Sequence, residues 1–178
     1  MRYPIESSDA ASLIAIVQEM HHNFQLVSID GWMGSGKTWM GKYLSKHLGF
    51  NPIDLDQFRI TNASSYVQDL DYQRLMYHLD NSDLKVAISG ICVQKVLEKL
   101  EHRSCLKLYI KRVGANGLWY EEVYEPSDCE CYRSIALEAT GSGEVAALDL
   151  EVCEYHVLVR PNETAHIIFK RFESDCKE

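Results

Sequence analysis

The sequence lacks the features that would staple a chain, insert it in a membrane or repeat it. None of its six cysteines, at positions 92, 105, 129, 131, 153 and 176, forms a CxxC pair, so a structural zinc site is not expected. Cys129 and Cys131 are close enough to touch one metal ion, but read better as two reduced thiols. No stretch approaches the roughly 20 apolar residues of a membrane span, and no apolar segment follows Met1-Arg2-Tyr3-Pro4 as a secretory signal would require. The expectation is a cytoplasmic, disulfide-free chain with no membrane partner. Positive charge is in deficit, with 18 Lys and Arg against 26 Asp and Glu and a net charge of -8. No basic patch stands out, so no nucleic-acid partner is expected. There is no internal repeat and no low-complexity segment, and 178 residues suit a single domain over 1–178. What is abundant is apolar: 46% of residues are hydrophobic, enough for a core that needs no metal or disulfide.

Helical and strand periodicities alternate along the chain, which predicts an α/β fold with a largely parallel sheet. Helices are predicted over Asp9 to His22, capped by Ser7 or Ser8, and over 37–48, 64–79, 91–101 and 144–159. Strands are predicted over 25–30, 51–55, 85–89, 105–111 and 165–172. Residues 112–127, with two glycines, a proline and many polar side chains, read as a loop; a lid is assigned to 112–133.

The segment with the most chemical content is Gly31-Trp32-Met33-Gly34-Ser35-Gly36-Lys37-Thr38, a full G-x-x-x-x-G-K-[ST] loop. At ordinary residue frequencies the four fixed positions match about one site in 28,000. An apolar strand pattern precedes the loop and a helical pattern follows it, the context in which such a loop cradles phosphates. Glycines at 31, 34 and 36 let backbone N–H groups, including those of Met33 and Ser35, converge on phosphate oxygens. The helix that opens at the loop favours a bound anion. Lys37 is placed to reach the β- and γ-phosphates and the Thr38 hydroxyl to ligate magnesium. Trp39 follows directly and joins the nucleotide-contacting set, although with Tyr43 four residues on it also forms a packing face. The ligand read from this loop is a nucleoside triphosphate with magnesium. No N-K-x-D-like guanine motif is present, which favours ATP.

The run Ile29-Asp30-Gly31 through Thr38, with Asp56 and Phe58 in Ile53-Asp54-Leu55-Asp56-Gln57-Phe58, resembles small-molecule kinases of the uridine kinase and nicotinamide riboside kinase group. The segments Lys85 to Gly90, Arg160-Pro161 and Ala165 to Ile168 resemble that group more weakly. The resemblance implies a three-layer P-loop fold with about five parallel strands in the order 2-3-1-4-5. It also implies that Asp56 takes the proton of the attacking hydroxyl, and that the acceptor is a small nucleoside- or sugar-like molecule contacted by Asp54, Asp56 and Phe58. Arg59 has two readings, a clamp for a substrate phosphate or carboxylate and a surface residue. Asp54 stands close enough to Asp56 to share a strand face with it, and is assigned with Thr38 to the metal.

The sequence departs from this pattern twice. The strand 86–88 ends in the neutral Ser89 instead of an acid, leaving Asp30, Asp54 or Asp56 to supply the negative charge; Asp30 also reads as a buried hydrogen-bonding residue. The lid segment is acidic, with Glu121, Glu122, Glu125, Asp128 and Glu130, and its only cations near the preceding strand are Lys111 and Arg112, followed later by Arg133. Arg112 is assigned to phosphate with Lys111; a solvated strand end is the competing reading. Trp119, Tyr120 and Tyr124 either stack on a base or close on the core. The departures keep a second function open, a nucleotide-binding regulatory or partner module with little or no transfer. A kinase acting on a nucleotide sugar or a macromolecule is a third.

Overall fold

The computed structural model describes residues 4–60, 65–101, 104–114, 117, 130, 133–134, 137 and 146–172. In chain order the elements are β1 (Ile5–Ser7), α1 (Ala10–Met20), β2 (Leu26–Gly31), α2 (Lys37–Leu48), β3 (Asn51–Asp54), α3 (Tyr72–Asp80), β4 (Val86–Ser89), α4 (Val93–Lys99), β5 (Leu106–Val113), α5 (Ala147–Val159) and β6 (Ile167–Phe172). The six strands form one sheet in the order β1-β6-β5-β2-β4-β3, every pair parallel.

Strand count and order both differ from the expected five in the order 2-3-1-4-5. The source is β1, whose three residues pair with Ile167 to Phe169 of β6 at the sheet edge. So short a segment, with Ile5 its only strongly apolar residue, carries no readable period.

Residues alternate between two apolar layers, as the pleat requires. Val27 and Ile29 of β2 pack with Leu13 and Val17 of α1 and Met40 and Leu44 of α2. Leu26 of β2, with Val86 and Ile88 of β4, packs on the opposite face with Val93, Val96 and Leu97 of α4 and Val152 and Tyr155 of α5. Covered on both faces, β2 and β4 are buried at every residue, which is why they read as continuous apolar runs. Between β4 and β5 the chain crosses from one side of β2 to the other, leaving a crevice at the C-terminal end of β2.

Three expectations need correction. The cap of α1 is Asp9, not Ser7 or Ser8: its carboxylate accepts from Ser12 N–H and Ser12 Oγ, both at 2.7 Å. The helix placed over 64–79 is shorter, α3 starting at Tyr72 behind an Asp71 cap. Residues 66–69 are turn and bend, and Leu70 forms an isolated antiparallel bridge with Arg59; Tyr66, Val67 and Leu70 are nonetheless buried, side chains from other elements satisfying the backbone of Tyr66 and Val67. Finally, Arg112 and Val113, assigned to the loop, complete β5. Among the described residues no helix is long and apolar enough to cross a membrane, and Cys92 and Cys105 are buried free thiols. Cys129, Cys131, Trp119, Tyr120, Tyr124 and most of the acidic lid lie outside the described residues.

Candidate functional site

The glycine loop fills the crevice at the end of β2. Gly31 has φ 150°, Gly34 φ 73° and Gly36 φ 101°, values that L side chains rarely adopt. At Gly31 the neighbours are as restrictive as the dihedral: a Cβ there would sit 2.7 Å from the Ile110 carbonyl oxygen and from Ser35 Oγ. Gly31→Ala is expected to destabilise the fold by about 1–3 kcal/mol. Denaturant unfolding checks this, and an unchanged midpoint would show that the loop does not need this backbone. Gly36 precedes α2 directly, and a Cβ there would run into the Arg171 guanidinium.

Lys37 opens α2 with its side chain turned back over the loop. Its ammonium donates to the Trp32 carbonyl at 2.6 Å and the residue is buried. Thr38 Oγ1 donates to Asp54 Oδ2 at 2.9 Å. Asp54 ends β3 and caps the 3-10 turn Leu55–Phe58, its Oδ1 accepting the Asp56 N–H at 3.1 Å. The two acids are thus related by a turn and not by the pleat of a strand. The phenol of Tyr66 donates to Asp56 Oδ1 at 2.8 Å. One cavity of about 350 Å³ is lined by Met33, Gly34, Gly36, Lys37 and Thr38 from the loop side, by Asp54, Asp56 and Arg59 from the turn, and by Tyr66, Gly90, Ile91 and Leu148.

Most of the residues singled out in the sequence therefore meet. Phe58 does not: it is 4% exposed and packs in the core, edge-on to His78 and under the Arg74 guanidinium. Its place in the motif is structural. Trp39 lies outside the cavity, stacked on Tyr43 at 5.1 Å. Arg112 also lies outside it, its Nη1 3.6 Å from where a Cβ on Gly34 would sit. In a strand Lys111 points to the opposite face from Arg112, so the two do not act as one cluster. Instead Arg112 is in register with Arg171 of β6. Arg171 donates to the Ser35 carbonyl at 3.4 Å and lies 5.6 Å from the centre of the Trp39 ring. Sequence reasoning missed Arg171 and Tyr66. Arg171 shares a strand face with Ile167 and Phe169, which pack in the α2 layer, and the β5–β6 register puts it beside Arg112.

Ser89, where an acid was expected, is buried and donates to the Ile53 carbonyl at 3.4 Å. Its register partner on β3 is Asp54. A carboxylate is therefore present at this level of the sheet, one strand over.

Asp30 resolves as the buried hydrogen-bonding residue. It accepts from the Tyr155 phenol and, at 2.8 Å, from the Gly31 N–H. Burial pushes its carboxyl up to about 6, against the opposing pull of those hydrogen bonds and the Lys37 charge. Below pH 3.8 the group is protonated whether the chain is folded or not. Between 3.8 and about 6 the unfolded chain releases its proton while the folded one keeps it, so stability falls as pH rises through that window. Full separation of the two values corresponds to about 3 kcal/mol. Asp30→Asn should remove that fall, measurable as the wild-type-minus-variant unfolding free energy from pH 4 to pH 7; a difference independent of pH would contradict it. Nearby His156 donates Nδ1–H to the Val152 carbonyl at 2.8 Å, and burial lowers its pKa to about 4, so it is neutral. Trp32 packs on it at 4.7 Å between ring centres.

No family model matches the chain. It is similar to a shikimate kinase of Bacillus cytotoxicus, 29% identical over 92 residues that make up 46% of this chain and 53% of that protein. A shikimate kinase of Persephonella marina is 32% identical over 77 residues, 36% of this chain and 46% of that one. The chain thus spans about half the length of the curated relatives it matches. Among solved structures, an uncharacterized protein from Eubacterium ventriosum aligns with a TM-score of 0.40 at 16% identity, covering 83% of this chain and 88% of that one. The hydrogenase maturation factor HypB from Archaeoglobus fulgidus aligns with a TM-score of 0.35 at 13% identity, over 93% and 90%.

Proposed function

We propose that this chain is an ATP- and magnesium-dependent kinase that transfers the γ-phosphate to a hydroxyl of a small molecule. The observation that carries this reading is the shared cavity into which the phosphate loop and the Asp54–Asp56 turn both open. A phosphate donor and an alcohol acceptor need that adjacency, since phosphoryl transfer depends on positioning and charge stabilisation. The partial likeness to shikimate kinases supports a small molecule as acceptor; uridine kinase-like substrates rest on the Asp-x-Phe resemblance, whose phenylalanine is buried.

The roles follow from chemistry. Backbone N–H groups of the loop hold the phosphates. Lys37 exchanges the Trp32 carbonyl for phosphate oxygens. Asp56, with one oxygen held by Tyr66, presents the other to the acceptor hydroxyl and receives its proton. Arg59 lines the acceptor side and suits an anionic substituent there. Arg112 reaches the loop from β5. The donor set suits magnesium bound partly through phosphate: Thr38 and Asp54 would hold it, and among the described residues no cluster of three acids, histidines or cysteines offers an all-protein site. When bound, magnesium supplies positive charge to the triphosphate.

A second reading has one observation in its favour, the neutral Ser89 at the end of β4: a nucleotide-binding regulatory module. The test is ADP release by purified protein with magnesium and ATP across a panel of hydroxy acids, nucleosides and sugars. Release stimulated by one compound is the expected result. Tight ATP binding without stimulation by any acceptor would favour the regulatory reading.

A further inference from the structure

Tyr66 belongs to no helix or strand, yet it is 1% exposed and its segment is heavily tied to the rest of the fold. A single carboxylate, Glu151 on α5, accepts from Ser65 Oγ at 2.9 Å, from the Tyr66 N–H at 2.6 Å and from the Val67 N–H at 2.9 Å. The Val67 carbonyl in turn accepts from the Tyr72 phenol at 2.5 Å. On the other side of the ring the Tyr66 hydroxyl reaches Asp56 Oδ1. Gly90 makes room for it, since a Cβ there would stand 3.0 Å from that hydroxyl and 2.8 Å from the Leu55 side chain.

We propose that Tyr66 is a positioning residue that fixes the rotation of the Asp56 carboxylate, and that Glu151 acts through it by locking the 65–67 turn onto α5. The inference rests on the reading of Asp56 as the proton acceptor and deepens it. A carboxylate on a 3-10 turn at a cavity wall rotates about its last bond unless one oxygen is held. Tyr66 holds Oδ1, which leaves Oδ2 for the acceptor hydroxyl. A phenol hydroxyl is well suited to hold a carboxylate. Burial and the neighbouring Asp56 charge raise its pKa far above neutrality, so it remains a donor at every working pH. The reach from Glu151 to Asp56 also joins α5 to the acceptor side of the site.

The test compares wild type, Tyr66→Phe, Glu151→Gln and the double variant, each with a melting curve to verify folding. Tyr66→Phe should lower kcat about 30-fold, since small misplacement of a reacting group costs up to about 100-fold. KM for ATP and for the acceptor should stay within about 2-fold. Glu151→Gln should lower kcat by a smaller factor. The double variant should match Tyr66→Phe within about 2-fold, as expected when one residue acts through the other. Wild-type kcat in folded Tyr66→Phe, alongside turnover that Asp56→Asn abolishes, would overturn the proposal while leaving the kinase reading intact. Multiplied losses in the double variant would overturn the role of Glu151. If wild type transfers no phosphate, the kinase reading fails, and the orientation claim is read directly from the ¹³C signal of the Asp56 carboxyl at fixed pH. That signal should move in Tyr66→Phe; an unmoved signal would show that the phenol does not hold the carboxylate.

Discussion

Asp56→Asn should reduce phosphoryl transfer by about 10²–10⁴-fold, the range by which a positioned general base contributes, while ATP affinity changes little. The asymmetry follows from geometry. Asp56 lies on the turn after β3, a separate element of the cavity wall from the loop backbone that would grip the phosphates. Asparagine keeps the volume and still accepts from the Tyr66 phenol with its carbonyl oxygen, so folding should be preserved. What it cannot do is take a proton from an alcohol. Steady-state ADP release with a stimulating acceptor, together with calorimetric ATP binding, separates the two effects. Parallel loss of binding and turnover would place Asp56 in the nucleotide site, and full retained turnover would remove it from the mechanism.

Lys37→Met should lower kcat/KM by about 10²–10³-fold, the cost typical of removing one preorganised donor from developing transition-state charge. Here the loss should appear in nucleotide affinity as well. Lys37 is a buried residue whose ammonium is bound to the Trp32 carbonyl beside the cavity, close to where phosphate oxygens would sit. Its charge also opposes the upward push of burial on Asp30, so the variant should hold the Asp30 proton to higher pH. Fluorescence titration with ATP and magnesium checks the binding half of this expectation; wild-type affinity and wild-type turnover would contradict the assignment of the loop.

The loop was legible because its chemistry is local: four fixed residues, a preceding strand and a following helix lie within one short stretch. The helix 37–48 was read to the residue, since Gly49 at φ 70° stops it. The sheet was largely legible too, from apolar runs that are buried on both faces. What was not legible depends on contacts between distant segments. Tyr66 reads as one apolar residue in a helical pattern until Glu151, 85 positions away, draws its N–H out of a helix. Arg171 carries no signal of its own in the sequence; the β5–β6 register sets it beside Arg112. Ser89 reads as a missing charge until β3 pairs in register and brings Asp54 to its side. Phe58 fits a motif by spacing, but spacing does not tell a ring that packs from one that faces a ligand.

The most direct test of the kinase reading is ³¹P NMR of the purified protein with magnesium, ATP and the acceptor that best stimulates ADP release. A new phosphomonoester resonance should grow as the ATP γ-phosphate signal falls, and it should be missing with Asp56→Asn. Conversion of ATP to ADP and inorganic phosphate alone, or intact ATP bound without turnover, would contradict it.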